Sequence, residues 1–184
     1  MPLCKMQYAP LERLSVLEEQ FLDPNHHDRQ AFTSGVGELD EYLRRFAVQQ
    51  SKKGITVVRV LVDTDTPSTI LGYYSLSAAQ IDAVQLDERT QQKLPRYPVP
   101  CFRMGRLAAH SAYHGRGLGR LLVGCAVERC LEARKHVAAY ALVVDAKGEK
   151  AKAFYEHYGF TACRDSPMTL YLPLGVESMQ NRER

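Results

Sequence analysis

His114-Gly115-Arg116-Gly117-Leu118-Gly119 lies between residues 101–110, which read as a strand, and residues 117–135, which read as a helix. Glycines this dense weaken any regular element. They suit backbone that curls tightly against a ligand, with successive amides pointing into one concavity and the positive end of a helix behind them. The result is an anion site suited to a pyrophosphate, with Arg116 and Arg120 adding charge beside it. Other readings stay open on these residues alone. A dinucleotide fold uses G-x-G-x-x-G, but the glycines here fall at Gly115, Gly117 and Gly119, past mid-chain and without a suitable first βαβ unit. A Walker loop ends in Gly-Lys-Ser/Thr, which is absent. A tight connection without a ligand is the third.

Working outward, the helix carries apolar positions at Leu118, Leu121, Leu122, Cys125, Ala126 and Leu131. A strand over 137–144, a helix over 149–157 and a strand pair over 160–172 come next. Strands alternating with helices predict an α/β sheet. Toward the N-terminus, residues 85–100 hold Pro95, Pro98 and Pro100 and read as a loop or short helix followed by a rigid extended piece. Residues 55–62 and 70–81 form a hairpin across the turn at 63–67. Ser34 caps a helix to about Lys53, with Leu39, Tyr42, Leu43, Phe46 and Ala47 recurring at three and four and Gly54 as its stop. Residues 23–28 read as a loop, residues 11–21 as a helix and residues 5–8 as a short strand. The tail from Val176 is polar and loose.

The length of 184 residues fits one domain, and 45% apolar residues supply a core. No apolar run approaches the ~20 residues of a membrane helix, and residues 1–9 lack the apolar stretch of a secretory signal. Cys4, Cys101, Cys125, Cys130 and Cys163 are odd in number and irregularly spaced, which points to a reducing cytoplasm. Cys125 and Cys130 read as small core residues. No pair makes a CxxC, and adjacent side chains such as His26-His27-Asp28 seldom chelate one ion, so no metal site is expected. Net charge is only +3 but segregated. Residues 89–127 contain Arg89, Lys93, Arg96, Arg103, Arg106, Arg116 and Arg120 and no acid. Residues 42–61 contain Arg44, Arg45, Lys52, Lys53 and Arg59, also without an acid. Such segregation implies anionic ligands, against the alternative of a solvated basic face.

Residues 106–122 resemble the acetyl-CoA motif of the GNAT N-acetyltransferases. Gly117 and Gly119 match its pattern, while His114 replaces the usual Gln or Arg. The family's second signature is met by Ala151, Tyr155, Gly159 and Phe160, with Gly148 where an asparagine is frequent. Within the superfamily, residues 32–43, Leu71–Ser77, Gly105–Ala108 and Phe154-Tyr155 resemble the acetyltransferase toxins of bacterial type II toxin–antitoxin pairs; the similarity covers most of residues 28–173. The resemblance implies one α/β domain over 1–175 with a mixed, mostly antiparallel sheet, flanking helices and a splayed central strand pair that binds acetyl-CoA, followed by a flexible tail over 176–184.

By the same resemblance, Leu107, Ala108 and Ala109 hydrogen-bond the pantetheine arm, and His114, Gly115, Arg116, Gly117, Leu118, Gly119 and Arg120 hold the diphosphate. Tyr155 is the general acid: a phenol of pKa ~10 can protonate a leaving thiolate. The alternative is that Tyr155 packs in the core; against it, helical spacing places Phe154 and Tyr158 together on one side and turns Tyr155 away by ~100°. Residues 101–113 contain no carboxylate to act as base. An α-amine near ~8 needs less help than a lysine near ~10.4, which favours aminoacyl-tRNA as acceptor; water or His110 is the alternative base. Arg45, Lys52, Lys53, Arg89, Lys93, Arg96 and Arg106 are the candidate RNA contacts. A ribbon-helix-helix antitoxin and a homodimer are the implied partners. A housekeeping acetyltransferase of small or protein amines and a non-catalytic CoA-binding module are the competing functions.

Overall fold

The computed structural model describes residues 5–8, 15–95 and 97–175. Its strands are β1 (Lys5–Tyr8), β2 (Ser15–Phe21), β3 (Val57–Asp63), β4 (Thr66–Ile81), β5 (Val99–Ala109), β6 (Ala141–Asp145), β7 (Thr161–Ala162) and β8 (Thr169–Pro173). Its helices are α1 (Gly37–Glu41), α2 (Ala47–Lys52), α3 (Glu88–Gln91), α4 (Leu118–Ala133) and α5 (Glu149–His157), with a π turn over Tyr42–Phe46. The strand order is β1-β2-β3-β4-β5-β6-β8-β7. The β1–β2, β2–β3, β3–β4, β6–β8 and β7–β8 pairs are antiparallel, and β5–β6 is parallel. The sheet is therefore mixed and mostly antiparallel, as expected. The β5–β6 pairing runs over Cys101–Met104 and Ala141–Val144, while β5 itself continues to Ala109.

The chain contains two compact units, the first formed by Met1–Leu76 and Arg106–Ala126 and the second by Ser77–Gly105 and Val127–Arg184. In the first unit, the β-branched Val58, Val60 and Val62 of β3 join Phe32, Leu43, Ala47, Ile70 and Tyr73 in one core. Each large side chain buried there contributes about 1.5–3 kcal/mol. Phe32 meets the Tyr73 ring edge-on at 5.5 Å, and the hydroxyl of Tyr73 donates to Leu39 O at 2.8 Å. In the second unit, Ile81, Leu86, Val99, Cys101, Val143, Cys163 and Tyr171 form a separate core.

Several sequence expectations are corrected. Residues 15–21 are a strand, not the end of a helix; residues 11–14 lie outside the described residues. The register places Glu19 where Arg59 (2.8 Å) and the hydroxyl of Tyr74 can both bond its carboxylate. Glu19 is 3% exposed, so it is tolerable there only as a fully bonded strand residue. The helix expected over 34–53 is broken into α1, the π turn and α2, and Val36 rather than Ser34 precedes its first turn. Ser34 instead donates its amide (2.8 Å) and hydroxyl (2.5 Å) to the buried carboxylate of Asp40. In the basic run over 42–61, Lys52 and Lys53 are exposed, while three arginines have partners. Arg59 pairs with Glu19, Arg45 with Glu41 at 2.7 Å, and Arg44 donates to Phe32 O at 2.6 Å.

Candidate functional site

In the first unit, the carboxyl end of β5 leads through a short turn over Ser111–Tyr113 into the glycine loop and α4. The amide of His110 donates to Leu71 O (2.8 Å) and that of Ser111 to Thr33 O (2.8 Å), which fixes where β5 ends. Gly72 of β4 sits under this junction. A Cβ there would lie 2.7 Å from Leu122 Cδ1 and 3.0 Å from Ala108 O, so only glycine lets the strand approach both.

The loop is built by backbone. Gly115 (φ 76°) and Gly117 (φ 78°) are both left-handed, a conformation that costs other L-residues about 1–2 kcal/mol. Around Gly115 there is open space, so its need is conformational and not steric. The amides of His114 and Arg116 are used within the turn, donating to Ser111 O (3.2 Å) and Tyr113 O (3.3 Å). The helical ladder starts when Leu121 donates to Gly117 O at 3.1 Å. The amides of Gly117, Leu118, Gly119 and Arg120 precede that bond and are the unused donors that every helix leaves at its start. They lie at the positive end of a 16-residue helix, where Gly117 and Arg120 are exposed, Gly119 half-buried and Leu118 buried. This set fits a diphosphate.

Side chains contribute less. His114 is exposed and bonds Ala109 O through Nε2 at 3.1 Å, bracing the loop against β5. The Arg116 guanidinium lies 5.5 Å from the centre of the Tyr113 ring, and Arg120 is exposed. Along β5, beyond the stretch that pairs with β6, Ala108 is buried while Leu107 and Ala109 are half-buried. His110 Nδ1 accepts from the amide of Ala112 (3.2 Å), and its ring meets Phe32 and Tyr113 edge-on. That places it as a brace for the turn. The Arg106 guanidinium lies 5.1 Å from the centre of the buried Tyr42 ring.

In the second unit, α5 carries the second motif. Gly148 precedes it with φ 106°, so the asparagine usual at this place would be strained. The end of α5 explains the Tyr-x-x-x-Gly-Phe spacing. Gly159 (φ 87°) donates to Glu156 O at 2.9 Å, and Phe160 donates to Tyr155 O at 3.1 Å. These are the paired bonds of a Schellman stop. Phe160, 3% exposed, then packs its ring 5.4 Å from that of Tyr155. The glycine and phenylalanine of the motif thus clamp the tyrosine.

Within α5 the structure pairs Phe154 with Tyr158 as the spacing places them, and it packs Tyr155 in the core. Tyr155 is the buried ring, while Phe154 and Tyr158 meet edge-on at 4.9 Å and are half-buried. Burial pushes the Tyr155 phenol up to about 12. Among the described residues no partner bonds its hydroxyl, and that oxygen is not among the fully sealed side-chain polar atoms that lack a hydrogen bond. Its oxygen therefore keeps solvent access while its ring is packed.

Of the candidate RNA contacts, Arg45, Lys52, Lys53, Arg89, Lys93 and Arg106 are exposed, and Arg96 lies outside the described residues. Arg103, part of the same basic stretch, is tied to Asp145. No group of three or more metal-binding side chains exists among the described residues. His27 of the 23–28 loop is buried, accepts the amide of Asp23 on Nδ1 at 2.9 Å and meets Gln20 Oε1 at 3.1 Å. No helix among the described residues is long and apolar enough to cross a membrane.

The acetyltransferase (GNAT) domain family matches residues 60–162, which include the glycine loop and Tyr155. The chain belongs to the GNAT acetyltransferases. It is 32% identical over 145 residues to the tRNA-acetylating toxin of Mycobacterium tuberculosis (strain ATCC 25618 / H37Rv), covering 79% of this chain and 85% of that protein. Among solved structures, this GNAT chain resembles a tyrosine-to-phenylalanine mutant of KacT (30% identity, TM-score 0.83, 90% of this chain and 98% of the other). It resembles AtaT complexed with acetyl-methionyl-tRNAfMet to a similar degree (27% identity, TM-score 0.82, 90% and 98%). AtaTR bound with AcCoA is a further likeness (28% identity, TM-score 0.76, 90% and 96%).

Proposed function

We propose that this GNAT enzyme is a toxin-type N-acetyltransferase that moves the acetyl group of acetyl-CoA to the α-amine of aminoacyl-tRNA and so blocks translation. The observation that carries it is the set of unused amides from Gly117 to Arg120, reached through two left-handed glycines. Acetyl-CoA supplies an activated acyl carbonyl and a thiolate leaving group. Amides of the loop hold the diphosphate, and the edge at Leu107, Ala108 and Ala109 receives the pantetheine arm. Tyr155 is the proposed hydrogen-bond donor to the departing sulfur. A phenol near 12 is protonated at every physiological pH. It is a weaker acid than a thiol of ~8.5, so it acts chiefly by donating a hydrogen bond as charge develops on sulfur.

The acceptor assignment draws on the likeness to tRNA-acetylating proteins and on the absence of a carboxylate from residues 101–113. With Nδ1 of His110 engaged, the chain offers no strong base there, and an amine already neutral at working pH suits that site. The same reading takes residues 1–175 as one catalytic domain with 176–184 as an appendage. It places the enzyme in the cytoplasm as a homodimer, restrained by a ribbon-helix-helix antitoxin. Expression of the wild type and Tyr155→Phe in bacteria tests it. Growth arrest with accumulation of N-acetylated aminoacyl-tRNA, both lost in the variant, is the expected result. Normal growth with acetylation of free amines instead would replace it with a housekeeping role.

A further inference from the structure

In the first unit, residues 32–34 belong to no strand or helix, yet they are held from two sides. One side is α1 and the turn that follows it. Asp40 Oδ1 accepts the amide of Ser34 (2.8 Å) and its hydroxyl (2.5 Å), and Oδ2 accepts the hydroxyl of Thr33 (3.0 Å). Arg44, four residues on, donates to Phe32 O at 2.6 Å. The other side is the turn that leads into the glycine loop. Thr33 O accepts the amide of Ser111 at 2.8 Å, and the Phe32 ring meets that of His110 edge-on at 5.6 Å. The turn passes the constraint on, because Ser111 O accepts the amide of His114 (3.2 Å) and Tyr113 O accepts that of Arg116 (3.3 Å).

Asp40 is 7% exposed, and a carboxylate so placed is costly unless its oxygens are bonded. Burial pushes its pKa up, but the hydrogen bonds from Ser34 and Thr33 and the charge of Arg44 outweigh this and hold the carboxyl below the usual carboxylate range. It is therefore charged at neutral pH. An acid in the first turn of a helix commonly reaches back to its own N-cap, as in a capping box. Here the residue preceding the first turn is Val36, and Asp40 reaches past it to Ser34 and Thr33, which the start of a helix does not require. What those bonds secure is the segment whose carbonyl receives the Ser111 amide.

We propose that Asp40 is a positioning residue for the glycine loop: through Ser34 and Thr33 it fixes the acceptor of the Ser111 amide, and so sets the direction in which the amides of Gly117–Arg120 point. It acts on acetyl-CoA only through the loop. That role rests on the reading of those amides as the diphosphate site.

The test compares wild type, Asp40→Ala, Asp40→Asn and Thr33→Val with two controls. Gly117→Val strains the loop itself, and Tyr171→Phe removes a hydroxyl bonded to Asp87 at 2.6 Å in the second unit. Acetyl-CoA affinity is read by calorimetry, stability by denaturant unfolding, and exchange of the Ser111 amide hydrogen by NMR. Thr33→Val is expected to weaken acetyl-CoA binding about threefold and Asp40→Ala about tenfold, with Asp40→Asn between wild type and Asp40→Ala because its amide oxygen still accepts from Ser34. The Ser111 amide is expected to exchange faster in all three, and Tyr171→Phe to match wild type in affinity and in Ser111 exchange. Asp40→Ala and Thr33→Val that bind acetyl-CoA as wild type does, while Gly117→Val loses affinity, overturn the positioning role and spare the loop reading. A Gly117→Val that binds acetyl-CoA as wild type does overturns the loop reading and the positioning role with it. Affinity that falls equally in Tyr171→Phe marks a general loss of stability and overturns the role as well. If Asp40→Ala does not fold, Thr33→Val, at an exposed position, decides.

Discussion

The glycine loop and α5 present two ways of building a functional group. The loop offers main-chain amides, and its polar side chains, His114 and Arg116, are exposed; its backbone conformation is set at Gly115 and Gly117. The helix offers one hydroxyl, and its backbone works to hold that side chain, through the Gly159 stop and the Phe160 contact. The first kind of site tolerates a change of residue type wherever the dihedrals survive. On the proposed reading, the second depends on one oxygen and on the Gly159 stop and Phe160 contact that hold it. On the proposed reading, this difference lets His114 stand where the family pattern has Gln or Arg.

The contrast can be broken experimentally, most sharply at the hydroxyl. Tyr155→Phe is expected to lower kcat by about 10²–10⁴-fold, with acetyl-CoA affinity unchanged by calorimetry; an affinity loss of the same size would mean that the ring, not the oxygen, is the essential part. Because the phenol sits near 12, it stays protonated through the physiological range and loses its proton only as pH rises toward that value. The pH–rate profile of the wild type should therefore show no alkaline fall assignable to Tyr155 below about pH 11. Gly117→Val places a β-branched residue at φ 78°. It is expected to weaken acetyl-CoA binding by about 10–100-fold through backbone strain of 1–3 kcal/mol, while thermal stability falls only modestly.

Gly72→Ala probes the support under the loop. Overpacking against Leu122 and Ala108 should cost about 1–3 kcal/mol in denaturant unfolding, and a companion Leu122→Ala should recover part of it. The smallest effect is expected at His114→Ala, which removes one exposed bond to Ala109 O. A net hydrogen bond of about 0.5–1.5 kcal/mol bounds the change in acetyl-CoA affinity to roughly tenfold at most. A larger loss would show that the loop depends on its side chains after all.

Much of this is legible in the sequence where the signal is local. The strand–glycine–helix order, the hairpin of β3 and β4, and α5 from Glu149 to His157 are set by spacing and turn chemistry within a few residues. The failures share a cause, which is distance along the chain. Residues 15–21 look helical until Glu19 is seen bonded to Arg59 and Tyr74, forty and fifty-five positions away. Ser34 looks like a cap until Asp40, one turn into the helix, takes its hydrogens. Spacing pairs Phe154 with Tyr158 and turns Tyr155 away from them, but it does not show which side faces the core. Phe160, beyond the helix, selects Tyr155. Sequence also shows charge but not its neutralisation, so the run over 42–61 looks more cationic than it is.

The π turn over Tyr42–Phe46 has a mechanical consequence. Ala47 donates to Tyr42 O, five positions back, so this turn holds one residue more than an α-helical turn would. Each added residue in a helix rotates the downstream residues by ~100°. Deleting one residue between 42 and 46 would let α1 and α2 fuse into a single regular rod. The fused rod would twist Ala47 out of the packing it shares with Leu43 and Tyr73, or else draw Tyr42 from beneath the Arg106 guanidinium. The irregular turn thus acts as a phase shifter, letting both halves of one rod aim at the same core.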